Sequence, residues 1–192
     1  MDRLYKPLFL QAVKLCMAET LPSFLPLQPA RGQNNAELFT GCLLYHFAAQ
    51  PEHSVWLCWE PDSGVERHFF VRIGWSPSSE FLPAHSEHDR RIYELRGPTE
   101  EFSACSLSLE QVLGRGAVGG FEIPSPWDQV YRLKPTASNA EQRQVMQAAA
   151  AEAAVLTKDQ RLTAVTEVVN NVLADVLSVL PSFLAPSSRS DA

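Results

Sequence analysis

SVWLCWEPDSGVERHFFVRIGWS, residues 54–76, decides the fold. Two runs rich in aromatic and β-branched residues flank the polar break PDSG, the pattern of a β-hairpin whose strands are half-buried. A three-residue loop of Asp62, Ser63 and Gly64, with Gly64 in the left-handed position of a G1 bulge, sets Pro61 opposite Val65. Leu57 then faces Phe69 and Val55 faces Val71. Ile73 and Trp75 extend that side, while Trp56, Cys58, His68 and Phe70 share the other. A two-residue loop would put Leu57 against His68 and mix the two faces, so the bulged turn is the consistent choice.

Outward from the hairpin, ELFTGCLLYHF at 37–47 reads as a preceding strand and RIYELR at 91–96 as a fourth. Before them, Leu4, Leu8, Leu15 and Cys16 recur at helical spacing between Asp2 and Ala18, with Asp2 placed to cap an amphipathic helix. Pro22, Pro26 and Pro29 then interrupt regular structure, and RGQNN at 31–35 is a polar loop. After Trp75 the segment SPSSEFLPAHSEHD is irregular. SLEQVLG, from Ser108, predicts one or two helical turns with a Ser108–Gln111 capping box. GRGAVGG and IPSPWDQ, the latter at 123–129, read as loop.

The last third carries the strongest signals. Ser138 with Glu141, and Thr157 with Gln160, mark two helix starts, the first opening an alanine-rich run to Val155. Beyond the second, Leu162, Val165, Val169, Val172, Val176 and Val179 alternate in steps of three and four, widened by Val168, Leu173, Leu177 and Leu180. That face belongs to a helix ending at Pro181. Valines lose rotamer freedom in a helix, so packing must hold it. The expected fold is α+β: an antiparallel meander of three to four strands, with N-terminal and long C-terminal helices on one face. Residues 1–184 form one domain and 185–192 a disordered tail.

Composition narrows the function classes. A chain of 192 residues, 45% hydrophobic and 20% charged, can bury a core without metals or disulfides. The formal net charge of -6 and the scattered arginines disfavour nucleic acid, whose phosphates need a clustered positive surface. A basic protein is the better-matched partner. The four cysteines, Cys16, Cys42, Cys58 and Cys105, show no metal-binding spacing and read as free thiols. Gln11 and Lys14 break the N-terminal apolar stretch, and Glu167, Asn170, Asn171 and Asp175 break the C-terminal one. The expectation is a cytoplasmic protein, with no cofactor, bound to no membrane.

Several stretches imitate functional motifs. AHSEHD, residues 84–89, offers His85, His88 and Asp89 as metal ligands, but Pro83, Arg90 and Arg91 surround them with loop character and positive charge. GRGAVG at 114–119 matches a dinucleotide fingerprint in letters, yet it follows a helix instead of opening one. His68 and Arg72 share a sheet face, with His46 and Glu66 as neighbours, which gives a small-ligand patch. Trp127, between Pro126 and Asp128, is the best candidate for an exposed contact residue, with Asp128 and Tyr131 beside it. No serine or cysteine nucleophile is paired with a base in an activating context.

With FFVRIGWS at 69–76, EFLP at 80–83 and VLSVLPSFL at 176–184, the chain resembles a family of small bacterial α+β proteins classed as a domain of unknown function. The resemblance spans Asp2 to Leu184, departs from the pattern over 97–157, and carries no catalytic residue. Some members lie near toxin and immunity genes, so it implies an immunity-type or accessory binding role. The expected function is therefore non-enzymatic protein binding, with binding residues among Trp127, Asp128, Tyr131, His68 and Arg72. The alternative is a metal-dependent enzyme or small-ligand binder using His85, His88 and Asp89 or the His68/Arg72 face. The wide valine face also allows a homo-oligomer through the C-terminal helix.

Overall fold

Alternation along β3 (His53–Pro61) and β4 (His68–Ser76) sends Val55, Leu57 and Trp59 to the same side of the sheet as Phe69, Val71 and Ile73, and all six are buried. The computed structural model describes residues 4–27, 42–50, 53–62, 67–76, 105–115 and 120–184. Within them the sheet is antiparallel throughout. Its order is β1 (Leu25–Leu27), β2 (Leu43–Gln50), β3, β4 and β5 (Cys105–Ser108), and β6 (Phe121–Glu122) pairs with the start of β4. β1, β5 and β6 are short strands that lack an alternating pattern long enough to read in sequence. The expected strand at 91–96 lies outside the described residues.

The hairpin register differs from the sequence expectation. Pro61 pairs with Phe69, Leu57 with Ile73 and Val55 with Trp75, so the register is displaced by four residues from that of a bulged three-residue turn. The Asp62 N–H donating to the His68 carbonyl at 2.9 Å extends the ladder by one more pair. The displacement is even, so every side chain keeps its expected face. A hydrophobic pattern of period two cannot distinguish registers four apart.

Two helices cover that face. α1 (Tyr5–Thr20) contributes Leu8, Phe9, Ala12, Val13, Cys16 and Met17 to the core. The long C-terminal helix, here α5 (Lys158–Leu184), contributes Val165, Val169, Val172, Leu173, Val176 and Leu180. The two helices pack on each other, and their buried residues form one continuous cluster with the sheet. Phe9 is the wedge: its ring lies 4.7 Å from Phe69 and 6.5 Å from Trp59. By length and composition α5 is apolar enough to cross a membrane. In this fold its valine stripe faces the core, and Glu167, Asn170 and Asn171 are exposed opposite it.

α5 does not stop at Pro181 but continues to Leu184. A proline costs one backbone hydrogen bond and crowds the preceding turn. Burial of Phe183 in the common core offsets that cost and holds the last turn.

Between β5 and α5 lie three further helices: α2 (Leu109–Val112), α3 (Asp128–Tyr131) and α4 (Asn139–Val155). The Ser108, Ser138 and Thr157 hydroxyls accept from the backbone N–H three residues on, at 3.2–3.3 Å, and Gln111, Glu141 and Gln160 accept in return from the N-cap backbone. Gly114 follows α2 with φ 68, a left-handed closing position, and open space surrounds it. Gly120, with φ 75, is constrained differently. A Cβ there would sit 3.0 Å from the Phe69 carbonyl oxygen, so only glycine lets β6 approach β4.

Two measurements check this architecture. Phe9→Ala should lower stability by about 3–5 kcal/mol in urea unfolding, because it removes the ring on which Trp59 and Phe69 close. A loss below about 1 kcal/mol would mean that the wedge is not where the structure puts it. The Glu141 carboxyl is held below the ordinary carboxylate range, first by the Ser138 backbone N–H and then by its hydroxyl. A depressed folded-state pKa gives stabilisation that is complete above the unfolded pKa and is lost as pH falls through the folded one. An NMR titration should therefore place Glu141 below an exposed glutamate, and Ser138→Ala should raise it.

Candidate functional site

Arg67 carries a buried charged side chain, as does Glu110 among the described residues. It stands at the entrance of β4, where its guanidinium reaches Asp128 of α3 at 2.6 Å and Glu122 of β6 at 3.1 Å. One nitrogen also donates to the Ile123 carbonyl at 2.8 Å, and the Ile123 N–H donates back to the Arg67 carbonyl at 3.1 Å. Asp128 accepts in addition from the Ser125 backbone N–H at 2.9 Å, which closes the turn through Pro126. A guanidinium cannot shed its proton at ordinary pH, so burial requires this ring of acceptors. The cluster holds structure together and contains no free nucleophile or base.

Asp128, expected as a contact residue, therefore points inward as the partner of Arg67. Trp127 beside it is 36% exposed. The Tyr131 side chain lies outside the described residues, as do His85, His88, Asp89 and Glu66. Among the described residues no cluster of His, Cys, Asp and Glu could hold a metal ion.

His68 and Arg72 do share the outer sheet face, four residues apart on one strand. That spacing separates them by roughly 13 Å, and each lies near a different carboxylate, the one beside His68 being the Glu122 that also pairs with Arg67. His68 Nε2 lies 3.6 Å from Glu122 Oε1, and Arg72 Nε lies 3.6 Å from Glu60 Oε2. They do not converge on one ligand. His46 is on the same face, beside Trp56 across the ladder, and its buried Nδ1 has no hydrogen-bond partner among the described residues.

The same face brings together two residues that spacing alone did not connect. Leu44 pairs with Cys58, so Cys42, two positions earlier, is the diagonal neighbour of Cys58. The Cys58 S–H donates to Cys42, which is half-buried, and both thiols are free. That bond holds the Cys42 thiol below the ordinary thiol range. Burial and the Glu60 carboxylate oppose the shift, while Lys6 and Arg72 assist it. The Cys58 thiol is pushed well up by the same bond and by its burial. Cys42 also lines a cavity of about 570 Å³ between the end of α1 and the β1–β2 edge, with Lys14, Phe24, Leu44 and Tyr45 among its walls. This volume falls within the range that small-molecule sites occupy.

A third feature is what α4 leaves uncovered. Of its seventeen residues only Ala149 is buried, while Met146 and Val155 are exposed. Gln129 of α3 donates to Glu152 of α4 at 3.3 Å, which joins the helix to the segment carrying Trp127. Comparison with family models, with curated proteins and with solved structures returns no match.

The Arg67 cluster generates a clear expectation. Removing one partner strands a buried charge, so Asp128→Ala should cost about 3–5 kcal/mol, whereas Arg67→Met combined with Asp128→Leu should recover most of it. Urea unfolding of the two variants measures the difference. A double variant no more stable than Asp128→Ala would show that the buried charge is not what the single substitution exposes.

Proposed function

We propose that the protein is a non-enzymatic binding factor that engages another protein along the ridge formed by α3 and α4. The observation that carries this reading is α4 itself. A helix in a globular fold ordinarily owes its stability to an apolar face buried on the core. α4 buries one alanine, and its formation rests on the Ser138–Glu141 capping box and on alanine propensity. Exposed Met146 and Val155, with Trp127 on the adjoining segment, supply adaptable and aromatic contact surface of the kind protein interfaces use. The net charge of -6 favours a basic partner through long-range attraction. An immunity-type or accessory role belongs to this reading.

A second reading is favoured by one separate observation, the cavity beside Cys42. Its apolar walls and single lysine suit a small apolar ligand with an acidic end.

Affinity capture with the full chain, followed by light scattering of the complex, tests the first reading. Met146→Glu and Val155→Glu should change stability by no more than about 0.5 kcal/mol, since both positions are exposed. Nine residues apart, they lie on opposite sides of the helix, so the one on the partner's side should abolish stoichiometric capture while the other leaves it intact. Capture that survives both substitutions overturns the ridge as the binding surface. The absence of any stoichiometric protein partner, together with a small molecule retained in native mass spectrometry, would transfer the function to the cavity.

A further inference from the structure

We infer that Cys42 and Cys58 are a redox couple, Cys42 being the thiol that an oxidant attacks and Cys58 the thiol that resolves it into an intramolecular disulfide. The register of β2 on β3 makes the two residues diagonal neighbours on the outer face, where Cys42 packs against the buried cluster of Leu44, Trp56 and Cys58. Their environments divide the roles. Cys42 is half-buried and forms part of a cavity wall, so a small oxidant can reach it. Cys58 is buried behind it, with Leu44 and Trp56 as neighbours. Lys6 and Arg72 provide positive charge that favours the Cys42 thiolate, against the burial and the Glu60 carboxylate that oppose it.

Backbone geometry decides how stable the product is. Diagonal neighbours in a ladder are typically about 7–8 Å apart between Cα atoms, longer than a relaxed disulfide spans. Cys42, however, precedes the first residue of β2 and stands just outside the β2–β3 pairs, which begin at Leu43 and Trp59. Closing the bridge moves a residue at the end of the ladder and leaves the pairs from Leu43 onward in place. A bridge made under such tension is readily reduced again, as a reversible switch requires.

With hydrogen peroxide as oxidant, the Cys42 thiolate attacks one peroxide oxygen, the O–O bond breaks and hydroxide leaves, taking up the thiol proton to become water. The resulting Cys42 sulfenic acid is attacked by the Cys58 sulfur. An S–S bond forms, and the hydroxyl departs with the Cys58 proton as a second water. Two thiols are thereby oxidised by two electrons, and one peroxide is reduced. Because Cys42 lines the cavity, the bridge also alters that wall.

The reduced full-length chain, treated with stoichiometric hydrogen peroxide, alkylated and digested without reductant, tests the couple. The expected product is a Cys42–Cys58 linked peptide that forms at any protein concentration and is lost on adding a dithiol. Cys42 should be consumed on the order of tenfold faster than Cys16, a buried thiol whose surroundings raise its pKa. Cys58→Ser should leave Cys42 as a sulfenic acid that a cyclic dione traps. Should that variant fail to fold, Cys42→Ser carries the test, and Cys58 must then stay reduced at the same dose. A bridge involving Cys16 or Cys105, or Cys42 and Cys58 both still alkylated when peroxide is exhausted, overturns the assignment.

Discussion

A guanidinium removed from water has to find acceptors on every side, and that requirement at Arg67 organises the middle of the chain. Its carboxylate partners come from β6 and α3, fifty-five residues away in sequence for Glu122, and its own backbone is tied to Ile123. Meeting the requirement brings β6 against β4 and closes the turn before α3. Buried ion pairs give little net stability once desolvation is counted, but breaking one is costly. Arg67 therefore contributes specificity more than stability: it excludes alternative arrangements that would leave the charge without partners.

The hairpin has such alternatives. Hydrophobic alternation assigns each residue of β3 and β4 to a face and excludes odd slips, yet any even slip satisfies it equally. The apolar residues of 54–76 are compatible with both Leu57 opposite Phe69 and the observed Leu57 opposite Ile73. Arg67 distinguishes them by its surroundings. The observed register leaves it in the connection just before His68, beside Asp128 and Glu122, whereas Leu57 opposite Phe69 would set it within the ladder opposite Trp59.

What the amino-acid sequence makes legible follows from the range of the forces involved. Capping boxes at Ser108, Ser138 and Thr157 span three residues and are readable directly. The valine stripe of α5 and the inner face of the hairpin are periodic and equally plain. The α+β class follows from them. The short strands β1, β5 and β6 are not legible, because they are paired by their neighbours and not by their own pattern. Pro181 misleads for a similar reason: the local rule ends a helix there, and burial of Phe183 outweighs it. The site shows the same division. The exposure of Trp127 is in keeping with the proline-broken loop that leads into it, whereas Asp128 next to it has an inward role that only Arg67 reveals. Cys42 and Cys58 look unrelated at a separation of sixteen residues and become neighbours once the strand register is known.

These ranges also explain how the molecule divides its surface. Among the described residues the inner sheet face packs against α1 and α5 in one continuous buried cluster. The outer face mixes the Leu44, Trp56 and Cys58 cluster with polar side chains that lie near carboxylates, His68 by Glu122 and Arg72 by Glu60. α4 is the element whose stability is set locally, by capping and propensity, and it can therefore leave its side chains uncovered without weakening the core. A surface free of structural duty can be adapted to a partner one residue at a time. The inner face cannot, since each of its side chains is packed against others that depend on its shape.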